Sequence, residues 1–336
     1  MTVRCMITFF ALAAVACAND SAVLLSEFIN DPMPTRSVHA STIEESGDYL
    51  VCAWFGGTHE KHKDVCIYLS RRKRDGGAWS AAHPVASGLQ LDMTRHPCWN
   101  PVLFQPKDGS LMLFYKVGPD PRTWWGMLKL SNDNGRSWSE ARRLPETFDG
   151  PVKNKPVQLA DGSILCGSST EFDGWRVHFE KTSGLAEDWT RIGPVNDGKE
   201  IGAIQPSILI LGGDKLMAVG RTRQQKIFSV SSSDNGATWG AMTLLDIPNP
   251  NSGTDAVTMK DGRHLMIYNH TPKGRSPLNV GISTDGTNWK NVLTLEDEKG
   301  EFSYPAVIQG SDDLLYITYT WKRTNVRFVV LDPAKL

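Results

Sequence analysis

The sequence predicts an all-β fold, a six-bladed β-propeller, from three series that repeat along its 336 residues. A short apolar run recurs about every fifty residues, each time directly after a single polar residue. A turn and a second strand-like run follow it, and a tryptophan ends most of the repeats at the same phase. A repeat of about forty to fifty residues that carries several short strands is typical of propeller blades.

The first series consists of the six polar residues that precede the apolar runs. They are His39, Asn100, Lys155, Gln205, Asp255 and Tyr304. Proline follows four of them and alanine follows the other two. Because the innermost strands of a propeller all begin at one rim of the central channel, we expect these side chains to share one funnel. Core packing favours apolar side chains there, so the set predicts a binding or catalytic site, although Asn100 alone equally fits a turn cap.

The second and third series define the rest of each blade. Asp-Gly or Gly-Asp turns lead into runs such as DGSLMLFYKV and DGSILCGSS, and glycine in such a turn supplies the positive φ of a hairpin. Trp79, Trp138, Trp189, Trp239 and Trp289 form the third series. Several of them close an S-x-D-x-G-x-x-W turn, complete in SNDNGRSW and SSDNGATW.

The end of the chain predicts how the ring closes. The sixth repeat supplies strands near 304–310, 313–321 and 325–332, and then lacks an outer strand. We expect AVLLSEFI, residues 22–29, to fill this place. Pairing the two terminal edges leaves neither of them open to aggregation.

The N-terminal sequence predicts export of the protein. Arg4 precedes the apolar stretch MITFFALAAVA, which predicts a signal peptide over residues 1–18 with cleavage after Ala18. Cleavage before Cys17, as in a bacterial lipoprotein, is the alternative. Residues 19–336 then form one exported domain, in the periplasm, outside the cell or at its surface.

Composition excludes several partners. A net charge of −1 and the lack of a basic run speak against nucleic acid, and the apolar stretch at the N-terminus is too short to span a membrane. We expect buried thiols for the remaining cysteines, which are Cys52, Cys66, Cys98 and Cys166. Cysteine and histidine spacing indicates no metal site, and we expect a monomer without a cofactor.

Two arginines are expected to join the funnel. Arg221 ends the second strand of the fourth blade, and Arg275 begins the third strand of the fifth, which places both at the rim of Gln205. Arg223 points to the same face as Arg221 and is a reserve candidate. Converging guanidinium groups bind a carboxylate through bidentate hydrogen bonds, so they predict an acidic ligand; surface ion pairs are the alternative.

Together these features resemble the Asp-box (BNR repeat) sialidases over essentially the whole mature chain. The resemblance implies that Arg221 and Arg275 are two of the three arginines that hold the sialic acid carboxylate in this family. It also implies that Tyr304, in FSYPAVIQ, is the nucleophile, and that Asp64, in GGTHEKHKD, is the acid/base residue.

Two positions depart from the family pattern. His39 stands where the family has its first arginine, and Gln205 stands where a glutamate deprotonates the tyrosine. An amide cannot take a proton. Either Asp255 replaces that base, or the enzyme inverts, with water positioned by Gln205 and His39 and an acid at the leaving oxygen.

We therefore predict an exo-acting glycoside hydrolase that removes a terminal α-linked sialic acid or a related acidic sugar from glycans. Lys155 is expected to assist the arginines, and Trp124 either stacks on a sugar ring or simply packs at the exposed rim. A lyase or glycosidase acting on uronic acid-containing polysaccharide is a second hypothesis. A non-catalytic glycan-binding propeller is a third, and the missing glutamate favours it.

Overall fold

The computed structural model describes residues 21–336, so the signal peptide expected at 1–18 lies outside the described residues. Six four-stranded antiparallel sheets follow one another along the chain, which confirms the six-bladed propeller. Blade 1 comprises β2 (Ser37–Ser46), β3 (Tyr49–Gly57), β4 (Cys66–Lys73) and β5 (His83–Ala86). Blade 2 comprises β6 (Cys98–Phe104), β7 (Leu111–Val117), β8 (Trp125–Ser131) and β9 (Arg142–Arg143). Blade 3 comprises β10 (Val157–Gln158), β11 (Ile164–Thr170), β12 (Arg176–Thr182) and β13 (Trp189–Ile192).

The second half of the ring repeats the same order, innermost strand first. Blade 4 comprises β14 (Ala203–Gly212), β15 (Lys215–Thr222), β16 (Lys226–Ser232) and β17 (Thr243–Pro248). Blade 5 comprises β18 (Asp255–Thr258), β19 (His264–Tyr268), β20 (Leu278–Ser283) and β21 (Lys290–Glu296). Blade 6 comprises β22 (Phe302–Gln309), β23 (Leu315–Trp321), β24 (Asn325–Leu331) and, as its outer strand, β1 (Val23–Phe28). A 3₁₀ turn, Pro333–Lys335, ends the chain.

The N-terminal strand closes the ring as expected. β1 pairs antiparallel with β24, so the last blade contains both ends of the described chain. Glu27 of β1 also reaches the first blade, where it accepts hydrogen bonds from Arg72 at 2.6 Å and from the Trp79 indole at 3.0 Å. The closure therefore joins blade 6 to blade 1 by side chains as well as by the strand ladder.

The hydrophobic core lies between blades, and the tryptophan series explains its period. Each of the six apolar clusters joins the facing sides of two neighbouring blades. Trp239 of blade 4 stacks on Phe179 of blade 3 at 3.8 Å between ring centroids, and Trp79 of blade 1 meets Phe328 of blade 6 at 5.1 Å. Trp138, Trp189 and Trp289 likewise pack against the preceding blade. One aromatic side chain per repeat thus seals five of the six blade interfaces.

The Asp-box turns connect the third and fourth strands, on the face opposite to the rim where the inner strands begin. In the turn of blade 4, Asp234 accepts the backbone N–H of Thr238 at 2.8 Å and the hydroxyl of Ser232 at 2.8 Å. The Ser232 hydroxyl in turn accepts the N–H of Gly236 at 2.9 Å. These bonds hold the turn that delivers Trp239, so the repeated motif is structural.

The remaining expectations about the domain concern cysteines and membranes. Cys52, Cys66, Cys98 and Cys166 are buried thiols outside any disulfide, as predicted. Across residues 21–336 there is no helix of the length and apolarity needed to cross a bilayer.

Candidate active site

Four inner strands share a local distortion at the funnel rim. In each, two consecutive residues fall outside the ladder with the neighbouring strand, and the first of the two has a positive φ. These first residues are Ala40, Asn100, Gln205 and Tyr304, with φ of 52°, 34°, 58° and 52°. A bulge re-aims a side chain at the end of a strand, and here it repeats in four blades.

Strand register fixes which residues are equivalent. In five blades, one residue of the inner strand pairs with the residue that lies eight positions further along the chain, in the second strand. These inner-strand residues are Phe104, Val157, Leu209, Val257 and Ile308. Counting back from these pairs and from the bulges, the ring at the rim consists of Ala40, Asn100, Lys153, Gln205, Gly253 and Tyr304. The prediction is therefore correct for Asn100, Gln205 and Tyr304.

The other three expected ring members are displaced. His39 precedes its ring position by one residue, because the bulge begins at Ala40. Lys155 and Asp255 follow theirs by two residues, because the apolar runs of blades 3 and 5 begin deeper in the channel. A shift of two residues keeps a side chain on the same face of a strand, so both still point into the channel, one layer below the rim.

Lys155 and Asp255 form an ion pair in this lower layer. The Lys155 ammonium lies 2.9 Å from one carboxylate oxygen of Asp255. The Asp255 carboxylate also accepts the Ser207 hydroxyl and the backbone N–H groups of Ala256 and Val307, each at 2.9 Å. Four hydrogen bonds occupy the acceptor capacity of a carboxylate. Asp255 thus ties together blades 3, 4, 5 and 6, and has no free lone pair for the proton of Tyr304.

Tyr304 and His39 lie together at the floor of the funnel. Their ring centroids are 4.1 Å apart, and both side chains are buried. The Thr320 hydroxyl accepts the N–H of Ala40 at 3.2 Å and lies 2.9 Å from Nδ1 of His39. If that hydroxyl donates its proton to Nδ1, the proton of the neutral ring is on Nε2. Burial lowers the pKa of His39 well below its ordinary value, and the cations Arg323, Arg275, Arg221 and Lys153 lower it further.

Three arginines surround this aromatic pair. Arg221 donates to the Tyr304 hydroxyl at 2.9 Å and to the carbonyl of Asn251 at 3.0 Å. The Arg275 guanidinium lies 5.8 Å from the Tyr304 ring centroid and donates to Glu301 at 2.6 Å. Arg275 was expected to begin the third strand of blade 5, but that strand, β20, starts three residues later at Leu278, and Arg275 lies in the loop before it.

Arg323 is the third arginine, and no repeat in the sequence predicts it. It lies in the turn between β23 and β24, where it donates from Nε to Glu301 and from Nη1 to Glu60, both at 2.6 Å. One oxygen of Glu301 thus holds both Arg275 and Arg323. Partial burial opposes ionisation of Glu301, but the two guanidinium groups outweigh it and lower its pKa. An arginine beside two acidic partners in a hairpin turn carries no periodic signal, so only the fold reveals its place.

Lys153 is a second site residue outside the predicted set. Its ammonium donates to the Asn154 side chain at 2.7 Å, to the Thr254 carbonyl at 2.8 Å and to the Pro305 carbonyl at 2.6 Å. It also lies 5.7 Å from the centroid of the Tyr304 ring. Burial lowers the pKa of Lys153 from 10.5 to about 7. Counting eight residues back from the Asp161 turn would have found it.

Gln205 occupies the ring position of blade 4. It is buried, and its side-chain oxygen has no hydrogen-bond partner among the described residues. A buried acceptor without a partner costs free energy, so it is expected to receive a hydrogen bond from a ligand or a water. Its backbone carbonyl accepts from Asn154 at 2.9 Å, which ties the ring positions of blades 3 and 4 together.

An arginine-aromatic stack forms the blade 3 side of the rim. The guanidinium of Arg223 lies 4.4 Å, and that of Arg221 5.3 Å, from the Trp175 ring centroid. Glu171 lies in the same loop, and burial raises its pKa although Arg221 and Arg223 oppose this. Arg223 is thus near Arg221 as expected, and Trp175 and Glu171 are additions to the predicted site.

Two further predicted residues lie at the rim. Asp64 accepts the Thr58 hydroxyl at 2.6 Å and pairs with His62 at 2.7 Å. Partial burial works to raise the pKa of Asp64, but the hydrogen bonds from Thr58 and His62 lower it to about 2. Trp124 packs edge-on against Trp99, with centroids 6.0 Å apart, next to the ring position of blade 2.

The site combines a concentrated positive charge with a phenol at its floor. Tyr304 is 9% exposed, whereas the Arg275 and Arg323 side chains are 27% and 29% exposed nearer the mouth. Such a funnel suits a small ligand that carries a carboxylate. Among residues 21–336, no group of three His, Cys, Asp or Glu side chains is arranged to hold a metal ion.

Comparison with known proteins identifies the fold. A family profile described as BNR repeat-like domain matches residues 48–317, whereas a comparison with curated protein sequences gives no match. A protein of unknown function from Dyadobacter fermentans DSM 18053 has a TM-score of 0.76 at 15% identity, over 92% of this chain and 98% of that one. The NanB sialidase from Streptococcus pneumoniae has a TM-score of 0.74 at 12% identity, over 94% of this chain and 71% of that one.

A third similar structure is that of an enzyme, and the similarity covers nearly the whole of both chains. The intramolecular trans-sialidase from Ruminococcus gnavus has a TM-score of 0.73 at 12% identity, over 94% of this chain and 99% of that one. At such identities the likeness establishes the fold alone. The family profile spans most of the chain, and the protein therefore belongs to the BNR repeat-like family, whose propeller fold it shares with these sialidases.

Proposed function

We propose that this protein is an exported exo-acting glycoside hydrolase that removes a terminal α-linked sialic acid, or a related acidic sugar, from glycans. The observation that carries the proposal is the contact between Arg221 and the Tyr304 hydroxyl at 2.9 Å, in a funnel that Arg275 and Arg323 also line. Export rests on the N-terminal sequence, where Arg4 precedes an apolar stretch.

The proposed binding mode uses the three arginines for the carboxylate. Arg275 and Arg323 share Glu301, which fixes the two guanidinium groups relative to each other before a ligand arrives. Arg275 uses only Nη1 in its contacts with described residues, so Nη2 is available to a ligand. A preorganised pair of guanidinium groups binds a carboxylate more strongly than a neutral group, which accounts for selection of an acidic sugar.

The proposed chemistry centres on the Tyr304 hydroxyl. In a retaining reaction Tyr304 first loses its proton to water, and the Arg221 guanidinium stabilises the resulting phenolate. The phenolate oxygen then attacks the anomeric carbon while the bond to the leaving oxygen breaks, and the leaving oxygen takes up a proton from water. Gln205 cannot act as the base, and the Asp255 carboxylate is fully hydrogen-bonded. A water held by the unpaired Gln205 oxygen offers the inverting alternative. That water attacks the anomeric carbon and gives a proton to Asp64, which is ionised at neutral pH, while the bond to the leaving oxygen breaks and this oxygen takes up a proton from the solvent.

A specific observation favours a second candidate, a lyase acting on uronic acid-containing polysaccharide. This candidate uses the tautomer in which Nδ1–H of His39 donates to the Thr320 hydroxyl, because Nε2 of the neutral ring is then free to take a proton next to a carboxylate held by arginines. Product analysis separates the two reactions, because elimination gives an unsaturated uronide that absorbs in the ultraviolet. Cleavage of uronides with no release of sialic acid from sialyl-lactose would replace our first proposal with the second.

The deciding experiment combines an α-sialoside assay with the Tyr304→Phe variant. If Tyr304 is the nucleophile, this variant loses turnover, and NMR of the wild-type reaction shows the α anomer released first. If the enzyme inverts, Tyr304→Phe only weakens turnover and the β anomer appears first. Tyr49→Phe, at the start of β3 on the face opposite to the funnel, is a matched control that should keep wild-type activity. Sialoside binding without turnover by the wild type would show a glycan-binding protein instead.

A further inference from the structure

A short hairpin of residues 88–96, here called the rim hairpin, lies between β5 of blade 1 and β6 of blade 2. This connection leads from an outer strand to the next inner strand, so it lies on the same face of the propeller as the funnel. Leu89 and Arg95 pair across it, and the N–H of Gln90 donates to the carbonyl of Thr94 at 2.8 Å. The rim hairpin is therefore held in shape by its own backbone.

The tip of the rim hairpin is apolar and lies in solvent. Leu91 is fully exposed, and Met93 and Leu89 are 75% and 52% exposed. Eight large apolar side chains are exposed in the part of the chain that the structure describes, and three of them lie within residues 89–93. Exposed apolar side chains that cluster in this way mark a surface that binds another molecule.

The backbone at the tip supports a role for the methionine side chain. Met93 has a φ of 67°, in the left-handed region that glycine and asparagine adopt more readily. Its N–H donates to the Gln90 carbonyl at 3.1 Å, which closes the turn. Glycine would close the same turn without strain, so the presence of methionine indicates a function for its side chain.

Basic side chains lie beside the base of the rim hairpin. The Arg95 guanidinium donates to Sγ of Cys66 at 3.0 Å and reaches the Asp64 carbonyl at 3.5 Å, which places the loop of residues 58–64 next to the hairpin. Lys61 and Lys63 of this loop are exposed and form no salt bridge among the described residues. Three cations therefore lie near the apolar tip.

The acidic residues nearby offset only part of this charge. Glu60 pairs with Arg323 at 2.6 Å, and Asp64 lies 2.7 Å from His62. Asp92 is the one acidic residue of the rim hairpin itself. The surroundings of the tip thus keep a net positive charge, which is attracted to an anionic surface within about a Debye length, roughly 10 Å.

We propose that the rim hairpin docks the funnel face of the propeller on an anionic lipid bilayer, with Leu91 and Met93 at the boundary between headgroups and acyl chains. Three side chains are far too few for a stable protein interface, which buries about 800 Å² per partner. Binding to a bilayer has no such minimum, because apolar burial and attraction to anionic lipids add together. The inference goes beyond the proposed function and does not depend on hydrolysis.

The test is co-sedimentation of the protein that begins at residue 19 with vesicles of phosphatidylcholine that contain about a quarter phosphatidylglycerol. Leu91→Asp should lower the partition coefficient at least about tenfold, because it replaces the most exposed apolar side chain of the tip with an anion. Leu185→Asp is the matched control and should keep wild-type binding. Leu185 is 64% exposed in the connection between β12 and β13, on the opposite face.

A second pair of variants tests the contribution of charge. The double variant Lys61→Ser and Lys63→Ser should lower the partition coefficient about tenfold on the anionic vesicles, and less than about twofold on phosphatidylcholine alone. The control is the double variant Lys107→Ser and Lys215→Ser, which removes two exposed lysines from the opposite face and should bind as the wild type does.

The vesicles carry no sialoside, so the expected pattern supports the inference even if no sialoside is hydrolysed. A wild type that stays in the supernatant overturns it, as does equal binding by wild type and Leu91→Asp. An equal loss of binding in Leu91→Asp and Leu185→Asp also overturns it. A dimer that Leu91→Asp dissociates in analytical ultracentrifugation, without binding of the wild type to vesicles, would replace the bilayer with a second copy of this chain.

Discussion

Three arginines and the buried Lys153 lie close to one phenol at the floor of the funnel, and acidic residues pair with only two of these four residues. Glu301 holds Arg275 and Arg323, whereas Lys153 meets three oxygen acceptors without a charge and Arg221 meets the Tyr304 hydroxyl and a carbonyl. Buried charge of one sign is costly unless a ligand of opposite sign completes the site. At the residue scale, the charge of Arg221, which forms no salt bridge among the described residues, is therefore the strongest physical indication of an anionic ligand.

Removal of either outer arginine should weaken substrate binding by a similar amount. Arg275→Ala and Arg323→Ala are each expected to lower kcat/KM for an acidic substrate about thirtyfold or more, which corresponds to at least about 2 kcal/mol, the usual loss for a charged hydrogen bond. Arg142→Ala, an exposed arginine of β9, is the control. Wild-type kcat/KM in Arg323→Ala would show that this arginine only supports Glu301 and does not contact the substrate.

Lys153 predicts a specific dependence of stability on pH. Its pKa is about 7 in the folded protein and 10.5 as the ordinary value, so between these two pH values the unfolded chain binds a proton that the folded protein has released. The free energy of unfolding therefore rises with pH in this window, by about 1.4 kcal/mol per pH unit at most. In urea titrations, the unfolding free energy of the wild type minus that of Lys153→Met should increase from pH 7 to 9.

The exposed lysine of an outer strand provides the control for this measurement. Lys181→Met, which removes a one-third exposed side chain paired with Asp161, should give a difference from wild type that is constant over the same pH range. A constant difference for Lys153→Met as well would mean that the folded protein keeps this lysine charged through its three hydrogen bonds.

At the scale of elements, the strands were predictable and their exact register was not. The alternation of apolar runs and turns predicted every blade, and even the closing strand, because each strand must present one face to the neighbouring blade. The polar residue before each run was a weaker guide. In blades 3 and 5 the run begins two residues deeper, so Lys155 and Asp255 stand in the lower layer while Lys153 and Gly253 occupy the ring.

Turn position would have been the better reference for the site. A hairpin turn fixes the register of the strands it joins, and the ring residue lies eight positions before the turn in every blade. Arg323 and Glu171 had no such reference, because loops at the rim differ from blade to blade. Sequence reasoning thus identified the pocket through its periodic parts, whereas the loop residues required the fold.

The Asp-box turn should contribute stability without contributing activity. Asp234→Ala removes the hydrogen bonds to Thr238 and Ser232, and is expected to lower Tm by about 2–4 °C at pH 7. Hydrogen bonds from Thr238 lower the pKa of Asp234 to about 2, against 3.8 in the unfolded chain, so this contribution is complete above pH 4 and is lost as the pH falls towards 2. Activity should not change, because the turn lies on the face opposite to the funnel.

A degraded copy of the same turn supplies the control. Asp188 is exposed beside Trp189 and makes no hydrogen bond with its side chain among the described residues, so Asp188→Ala should keep the wild-type Tm. Calorimetry over pH 2 to 7 measures both variants. Equal Tm values for Asp234→Ala and wild type would show that the tryptophan of the turn, and not its hydrogen bonds, holds the blade.

The whole molecule depends on closure of the ring, because its core consists of the interfaces between blades. Each blade has a neighbour on both sides only if blade 6 meets blade 1, and that contact combines the ladder of β1 and β24 with the bonds from Arg72 and Trp79 to Glu27. An open ring would leave β24 as an unpaired edge and expose the apolar cluster shared by blades 6 and 1. Opening the ring at this one interface should therefore destabilise the whole domain.

Truncation tests this dependence directly. A chain that begins at residue 31 lacks β1, and we expect its Tm to fall by about 10 °C or more and its apparent mass in size-exclusion chromatography to grow with concentration, because the exposed β24 edge pairs with other copies. A chain that begins at residue 21 retains β1 and should match the mature protein. Glu27→Ala keeps the ladder but loses the bonds to Arg72 and Trp79, so its Tm should fall by only about 2–4 °C. A monomeric truncated protein with unchanged Tm would mean that the side-by-side packing of blades, without the shared strand, is sufficient to hold the ring closed.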